Sequence, residues 1–456
     1  MAGFDTEYSI IVVGAGGSGM MAALAAARQG ARILLLEKDT SRGCNTQVGG
    51  GLIQGAGTRY QKALGIEDSP ELMMADIMAA NHGQADEAVV RAICERSADA
   101  VHFLADVVGV DLHLDTNVLY VGHSVHRMHA APGETGAEVI AAMRRAVAVD
   151  PRITFVDRAE VTGLIQENGR VVGVETAGLA GRRIGGSVIL AADGFGANQE
   201  MIQAYCPEIA NAVYVGSHNN TGDAIRWGAQ VGGALDRMTA YQGHAHVHAA
   251  TGTRLGGGLP SMGSILVNRQ GHRFEREDQG YSGFARIVLA QPGGEAIEIF
   301  DQRIFDLAWH SGIFRQAFEA GQVVRAGTLR ELAELFELPT DVLEEEVADY
   351  NRAVREGADR FGRREFGEPL TAPFYGSLVT GALAHTQGGL RIDPTCRVLR
   401  EDNTPIEGLY AVGGTAVGMS GNGPEGYLSG NGLAHAFGTG LIAGESLARS
   451  VLSPAG

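Results

Sequence analysis

The chain has 456 residues, 45% of them hydrophobic and 20% charged, with a formal net charge of −17 at pH 7. That length exceeds one simple core and predicts two domains, while the acidic balance argues against nucleic acid and anionic membranes as partners. The four cysteines, Cys44, Cys94, Cys206 and Cys396, contain no CxxC pair, which argues against a disulfide framework, an iron–sulfur cluster and a dithiol redox centre.

Residues 7–13 read as a buried parallel strand. A glycine turn, 14–19, follows, then an alanine-rich helix over 20–29 closed by Gly30, then a strand over 32–36 ending at Glu37. Apolar spacing is helical from about 66 to 107 and again over 132–150. Residues 153–192 read as a β-meander of four strands, with Glu167-Asn168-Gly169 as a hairpin turn. Residues 299–355 turn helical, 406–412 form a last buried strand, and 430–451 form a terminal helix rich in small residues. The first strand begins too early for a signal peptide, and no uncharged apolar run reaches about 18 residues. With reduced thiols, this predicts a cytoplasmic protein with no membrane span.

The first unit carries chemistry. Gly14 permits the tight turn, Gly16 lets a pyrophosphate approach the backbone, and Gly19 lets the helix pack on the sheet. The helix N-terminus offers free N–H groups and a partial positive charge to phosphates. Glu37 can accept hydrogen bonds from ribose hydroxyls and would repel a 2′-phosphate. Strand, turn, helix and acid in that order predict dinucleotide binding, with NAD and FAD both open.

Further motifs resemble the flavoprotein superfamily of fumarate reductase, succinate dehydrogenase and 3-ketosteroid Δ1-dehydrogenase. Ser41-Arg-Gly-Cys-Asn-Thr46 with Gly49-Gly50-Gly51 resembles its second flavin-contact loop. Residues 188–198 resemble its LATGGFGAN segment, and Thr221-Gly-Asp-Ala224 its TGDG turn. Residues 408–413 and Gly430-Asn-Gly-Leu433 resemble its closing strand and helix. The resemblance implies an α/β fold: a Rossmann-like FAD-binding domain of glutathione-reductase type (1–243 and 385–456) with an inserted α+β capping domain (244–384). Val347-Ala-Asp-Tyr-Asn351 and Phe361-Gly-Arg363 resemble features of that cap. In the first unit the implied FAD contacts are Gly14, Gly16, Gly17, Ser18, Gly19, Glu37 and Lys38. The second loop adds Cys44, Asn45, Thr46, Gly49, Gly50 and Gly51, and the middle of the chain Val161, Ala192, Asp193, Asn198 and Asp223. The C-terminal part adds Gly413, Gly414, Gly430, Asn431 and Leu433. Asn45 stands where the succinate dehydrogenase branch has the histidine that links flavin, which implies non-covalent FAD. Gly414 replaces a glutamate of the family, so one FAD contact is missing.

For the substrate, Gln242-Gly-His244 resembles the first histidine segment of fumarate reductase and His385-Thr-Gln-Gly-Gly389 the second. Tyr281 and Tyr427 stand where that branch has its two arginines, and Gly256-Gly257 where it has a Thr-Glu pair. The dicarboxylate clamp is therefore largely dismantled. Two tyrosines resemble the ketosteroid dehydrogenase branch instead. That implies Tyr281 as the base for a proton next to a ketone and Tyr427 as donor to the ketone oxygen, with His385 and His244 at the active site. Plain alternatives stand beside each role: a loop tyrosine for Tyr281, core packing for Tyr427. His244, His246 and His248 fall on one strand face but lack a carboxylate or cysteine to complete a metal site, so no metal is predicted. His126, Arg127 and His129 either touch substrate or lie on the surface, and Cys44 either tunes flavin or packs. The expected activity is FAD-dependent desaturation of the Cα–Cβ bond of a cyclic ketone, of oxocyclohexanecarboxylate-like or ketosteroid-like type, with an unidentified electron acceptor. The alternatives are an enoate reductase and a flavin electron-transfer subunit.

Overall fold

A computed structural model describes residues 3–177, 182–256 and 258–453. The elements that build the site are, in chain order, β1 (Thr6–Val13), α1 (Gly17–Arg28), β2 (Ile33–Leu36), β3 (Ile153–Val156), β4 (Val161–Glu167), β5 (Arg170–Thr176) and β6 (Arg183–Leu190). They continue with β7 (Tyr241–His248), α2 (Tyr281–Leu289), β8 (Glu295–Asp301), β9 (Phe374–Thr386), β10 (Arg397–Leu399), β11 (Pro405–Ala411) and α3 (Asn431–Leu452).

The first sheet runs β10-β11-β6-β1-β2-β3. β1 pairs in parallel with β2 (Ile10↔Ile33 to Val13↔Leu36) and with β6. α1 and α3 pack together against this sheet, and Ile10 to Val13 and Ile33 to Leu36 are buried within it, the reason these strands read as apolar runs. The hairpin turn expected at 167–169 is present: Glu167 pairs with Arg170, and Asn168 and Gly169 both have positive φ, as a tight two-residue turn demands. The four-strand meander needs correction. β4, β5 and β6 do run antiparallel, but β3 joins β2 in parallel at the sheet edge. Local alternation cannot tell a meander strand from one delivered by the preceding helix, Gly136–Val149.

α3 lies along α1 with the same polarity. The helices touch through small residues: a Cβ at Gly440 would come 2.6 Å from the Ser18 carbonyl oxygen, and one at Gly444 would collide with that of Ala22. In this register α3 starts about eight residues earlier than α1, so its N-terminus projects roughly 12 Å further along the same direction.

A second sheet is organised on β9, whose 13 residues pair with β7, β8, Val213–Tyr214 and Val324–Ala326. β9 went unread in the sequence because nearly all of it is buried and it is broken by Gly376 and Gly381, leaving neither helical nor alternating spacing. The helical stretch 299–355 resolves into four helices packed around this sheet, interrupted by Val324–Ala326. No helix among the described residues is long and apolar enough to cross a membrane.

A buried ion cluster ties the segment ahead of the glycine-rich 131–136 turn to its neighbours. Arg127 has no exposure and donates to Asp76 (2.7 Å) and to both oxygens of Asp68 (3.1 and 3.2 Å). Replacing Arg127 with methionine would strand the Asp68 carboxylate in the interior. We expect a loss of about 3–5 kcal/mol in urea denaturation; a change under about 1 kcal/mol would show that the cluster is not a stabilising tie.

Candidate functional site

One cavity of about 1880 Å³, counting its solvent-open mouth, lies where the two sheets meet. Its nucleotide half is built by the glycine turn. Gly14 has φ +106°, and Gly19 packs so closely that a Cβ there would overlap the Gly14 carbonyl oxygen. Gly16 differs: its φ is ordinary, and a Cβ would meet only Cys44 Cβ at 3.6 Å, so the space above it belongs to a ligand. Glu37 Oε2 accepts from the Ala15 amide at 2.8 Å and Oε1 from the Asp39 amide at 3.1 Å. The carboxylate thus pins the turn against the end of β2 while keeping lone pairs for hydroxyls. Lys38 Nζ reaches Thr221 Oγ1 (2.8 Å) and Asp223 Oδ2 (3.2 Å), which fixes the far wall.

Gly17, Ser18, Cys44, Asn45, Thr46, Gly49, Gly50, Gly51, Val161, Ala192, Asp193, Gly413, Gly414, Gly430 and Leu433 all line this cavity. Three expected contacts do not. Gly19 serves helix packing. Asn198 caps the helix Gln199–Tyr205 and donates to the Thr221 carbonyl oxygen at 2.9 Å. Asn431 turns its Oδ1 to Gln54 Nε2 at 3.1 Å. Asp193, at φ +61°, has its carboxylate where a side chain at 414 would go: a Cβ on Gly414 would overlap Asp193 Oδ1. Burial raises the pKa of this carboxyl.

FAD fits these residues. The N-termini of α1 and α3 both open on the cavity, giving two positive ends for an anionic dinucleotide. Asn45 Oδ1 accepts from the Ser217 amide (2.8 Å), but its Nδ2 is buried without a partner, as is His435 Nε2. Both are cavity-lining polar groups that a ligand would satisfy. Burial pushes the Cys44 thiol up to about 11, so it lines the site as a neutral group.

The other half brings together His244, Tyr281, His385 and Tyr427. Ring centroids are 5.0 Å apart for His244–Tyr281, 6.3 Å for Tyr281–Tyr427 and 5.8 Å for His385–Tyr427. Tyr281 opens α2, which sits against β7: Gly243 N donates to Ser282 Oγ at 3.0 Å, and a Cβ on Gly243 would strike the Ser282 backbone. The loop ahead is held by Glu277, which accepts from Arg273 (2.7 Å) and Arg363 (3.0 Å). Arg363 and Tyr350 therefore brace the approach to Tyr281, with the two guanidinium groups about 5 Å from the Tyr350 ring. β9 delivers His385. Gln387 Oε1 accepts from Ser420, so its amide nitrogen faces His385 Nδ1 at 3.1 Å; the same Nδ1 lies 3.3 Å from the Thr386 carbonyl oxygen. Burial pulls His385 down to about 4 and His244 well below its ordinary value, so both imidazoles are neutral near pH 7.

Several groups escaped the sequence reading. Gln242 Nε2 donates to the Tyr281 hydroxyl at 3.0 Å, and Ser429 Oγ lies 3.5 Å from it. Arg254, Tyr120 and Glu134 also line the cavity; Glu134, at φ +51°, is pushed up to about 7 by burial. Gln242 and Ser429 adjoin recognised motifs, whereas Arg254 carries no local signal.

Other expectations fail. Arg127 is the ion cluster described above. His129 is buried against Thr58 Oγ1 (2.9 Å) and the Ile53 carbonyl oxygen (3.2 Å), and His126 does not line the cavity either. The three histidines of β7 do not share a face. The strand bulges between His244 and Val247, turning His246 onto Glu298 (2.8 Å) while His248 contacts Thr251. Gly256 lines the cavity; Gly257 lies outside the described residues.

Residues 9–433 match the FAD binding domain family. The chain is 30% identical over 461 residues to a probable fumarate reductase of Shewanella frigidimarina, covering 99% of this chain and 76% of that one. It resembles the open conformation of a flavocytochrome c3 fumarate reductase, with TM-score 0.81, 30% identity, and 99% of this chain and 80% of that chain covered. It also resembles a 3-ketosteroid-Δ4-(5α)-dehydrogenase from Rhodococcus jostii in complex with 4-androstene-3,17-dione, with TM-score 0.76, 27% identity and 98% of each chain covered. The fold implied by the sequence motifs is thus the observed one.

Two glycine substitutions separate cradle from scaffold. Gly16→Val should leave the apoprotein folded, with an unchanged circular dichroism spectrum, yet weaken FAD retention by roughly tenfold or more, because the side chain takes the pyrophosphate's place. Gly19→Val should instead unfold the apoprotein at lower temperature. Stoichiometric flavin in purified Gly16→Val would contradict this division.

Proposed function

The chain belongs to the FAD binding domain family, and from that premise we propose that it desaturates the Cα–Cβ bond of a cyclic ketone. As a member of the fumarate reductase and ketosteroid dehydrogenase group, it is an FAD-dependent oxidoreductase acting on carbon–carbon bonds. One observation carries the finer reading: two phenols, Tyr281 and Tyr427, line one cavity with rings 6.3 Å apart. When bound, FAD supplies the hydride acceptor. The second sheet, mostly from residues 244–384, would serve as the cap over the substrate. Asn45 offers no imidazole, so FAD is held without a covalent link, and Asp193 supplies the carboxylate that Gly414 lacks.

Tyr427 donates a hydrogen bond to the ketone oxygen and stabilises the enolate as the α-proton leaves. Burial and the neighbouring Tyr281 keep its pKa well above the ordinary phenol value, so it stays a donor across the working range. Tyr281 takes the α-proton. Its oxygen accepts from Gln242, a contact that favours the phenolate, and Ser429 stands next in line to pass the proton on. The neutral His244 and His385 bind polar substrate oxygen without adding charge.

A second reading runs the same groups backwards, as reduction of a conjugated C=C bond. It is favoured by burial, which raises the Tyr281 pKa and leaves a phenol ready to donate, and by the likeness to a probable fumarate reductase. Anaerobic mixing separates the directions: a saturated cyclic ketone should bleach the oxidised flavin, whereas a reductase would need the enone to recolour reduced flavin.

Tyr281→Phe should stay folded and keep FAD, while flavin reduction by the ketone falls roughly 10²–10⁴-fold, the usual worth of a positioned base. Wild-type reduction at the normal rate in this variant would end the assignment of Tyr281.

The pH dependence follows from the direction of the shift. Desaturation needs the phenolate, and a pKa raised above 10 means the rate should still be climbing at pH 10. Enone reduction needs the phenol and should stay level through neutrality. A desaturation rate that plateaus below pH 8 would assign the proton to another group.

A further inference from the structure

We propose that Arg254 is an anion anchor of the substrate pocket, so that the ring which Tyr281 and Tyr427 act on carries a carboxylate. The inference rests on the ketone reading above and names the substrate class it leaves open.

Arg254 follows the turn that ends β7. A β-bridge to Val247 and the Leu255 amide, which donates to the His246 carbonyl oxygen at 2.8 Å, hold its backbone in place. The guanidinium lines the same cavity as Tyr281, Tyr427, His244 and His385. Of its five N–H groups, one donates to the Val215 carbonyl oxygen at 2.9 Å and another reaches that of Val48 at 3.4 Å. No carboxylate of the described residues lies within ion-pairing distance. Arg254 is half-buried, whereas the buried arginines Arg127, Arg273 and Arg363 each pair with at least one carboxylate.

A cation in a desolvated wall without a counter-charge is costly unless something brings the charge in. Desolvation lowers the Arg254 pKa, and the groups that act on it electrostatically are the phenols Tyr281, Tyr214 and Tyr427 rather than acids. Arginine nevertheless remains protonated in proteins. Its remaining N–H groups form a planar fork suited to a carboxylate. Gly256, two residues on, adds no bulk beside it: a Cβ there would meet nothing within 4 Å. The anchor therefore sits on the loop after β7, apart from the two positions that tyrosines occupy.

Binding of unreactive probes to the FAD-loaded protein tests this without turnover. By calorimetry, wild type should bind cyclohexanecarboxylate at least roughly tenfold more tightly than cyclohexanecarboxamide. Arg254→Gln should lose roughly 10- to 100-fold in affinity for the carboxylate and less than about twofold for the amide, with flavin content unchanged. Arg254→Lys should keep part of the preference, since it keeps the charge but not the fork. Wild type with no preference for the carboxylate overturns the proposal. So does an Arg254→Gln variant that weakens both probes equally or sheds FAD, because that is what a purely structural tie between Val48 and Val215 would do. Should Arg254→Gln not fold, a reduced preference in a folded Arg254→Lys still supports the anchor, and an unaltered preference there that also persists undiminished at high salt overturns it. If the preference holds and cyclic ketones still fail to bleach the flavin, the desaturation reading falls while the anchor stands.

Discussion

The close, same-direction packing of α1 on α3 is the constraint on which the site depends. Gly440 and Gly444 allow the helices to approach until backbone meets backbone. At that distance their register sets where each N-terminus ends. One terminus stands at the glycine turn and the other roughly 12 Å beyond it along the same cavity. Larger residues at 440 or 444 would part the helices and move one positive end relative to the other. The small-residue character of the last helix is therefore a requirement of cofactor length, transmitted through packing.

The substrate half is organised by a different element. β9 forms the centre of the second sheet and then runs on to His385 and Thr386, where it meets the floor of the nucleotide half: Thr386 Oγ1 accepts from the Phe195 amide at 3.0 Å. A strand that serves both layers leaves little freedom in where His385 lies. Around it the wall is nearly without charge. Both imidazoles are neutral, both phenols are protonated, burial pushes Glu134 up to about 7, and Arg254 carries a full positive charge. Such a wall distinguishes ligands by hydrogen bonding and shape, with one point of electrostatic selection.

Much of this was legible in the residues. Strand, glycine turn, helix and Glu37 announced the nucleotide half because each has a local conformational demand: positive φ at Gly14, burial in β1, a free helix end at Gly17. Tyr281 and Tyr427 were found by their positions within motifs, and the fold brings their rings together. What escaped depends on contacts distant in sequence. Arg254 is known as an unpaired cation only once Val48 and Val215 are seen to be its partners. Asp193 and Gly414 are separated by more than 200 residues, and only their proximity shows that one carboxyl group fills the other's space. The β7 bulge that separates His244 from His246 has no signature in an alternating row of histidines. Arg127 read as either a substrate contact or a surface group because nothing nearby in sequence reveals that Asp68 and Asp76 close around it.

The two helix ends at the cavity have a kinetic consequence. Their positive character is that of partial charges and fades within a turn of the helix, whereas the chain as a whole carries −17. An incoming dinucleotide, itself an anion, is repelled at a distance and attracted only on arrival. Added salt shortens the reach of the repulsion to about 8 Å at 0.15 M but screens the desolvated contact much less. Cofactor capture by the apoprotein thus gains speed with ionic strength over the range where oppositely charged partners lose it.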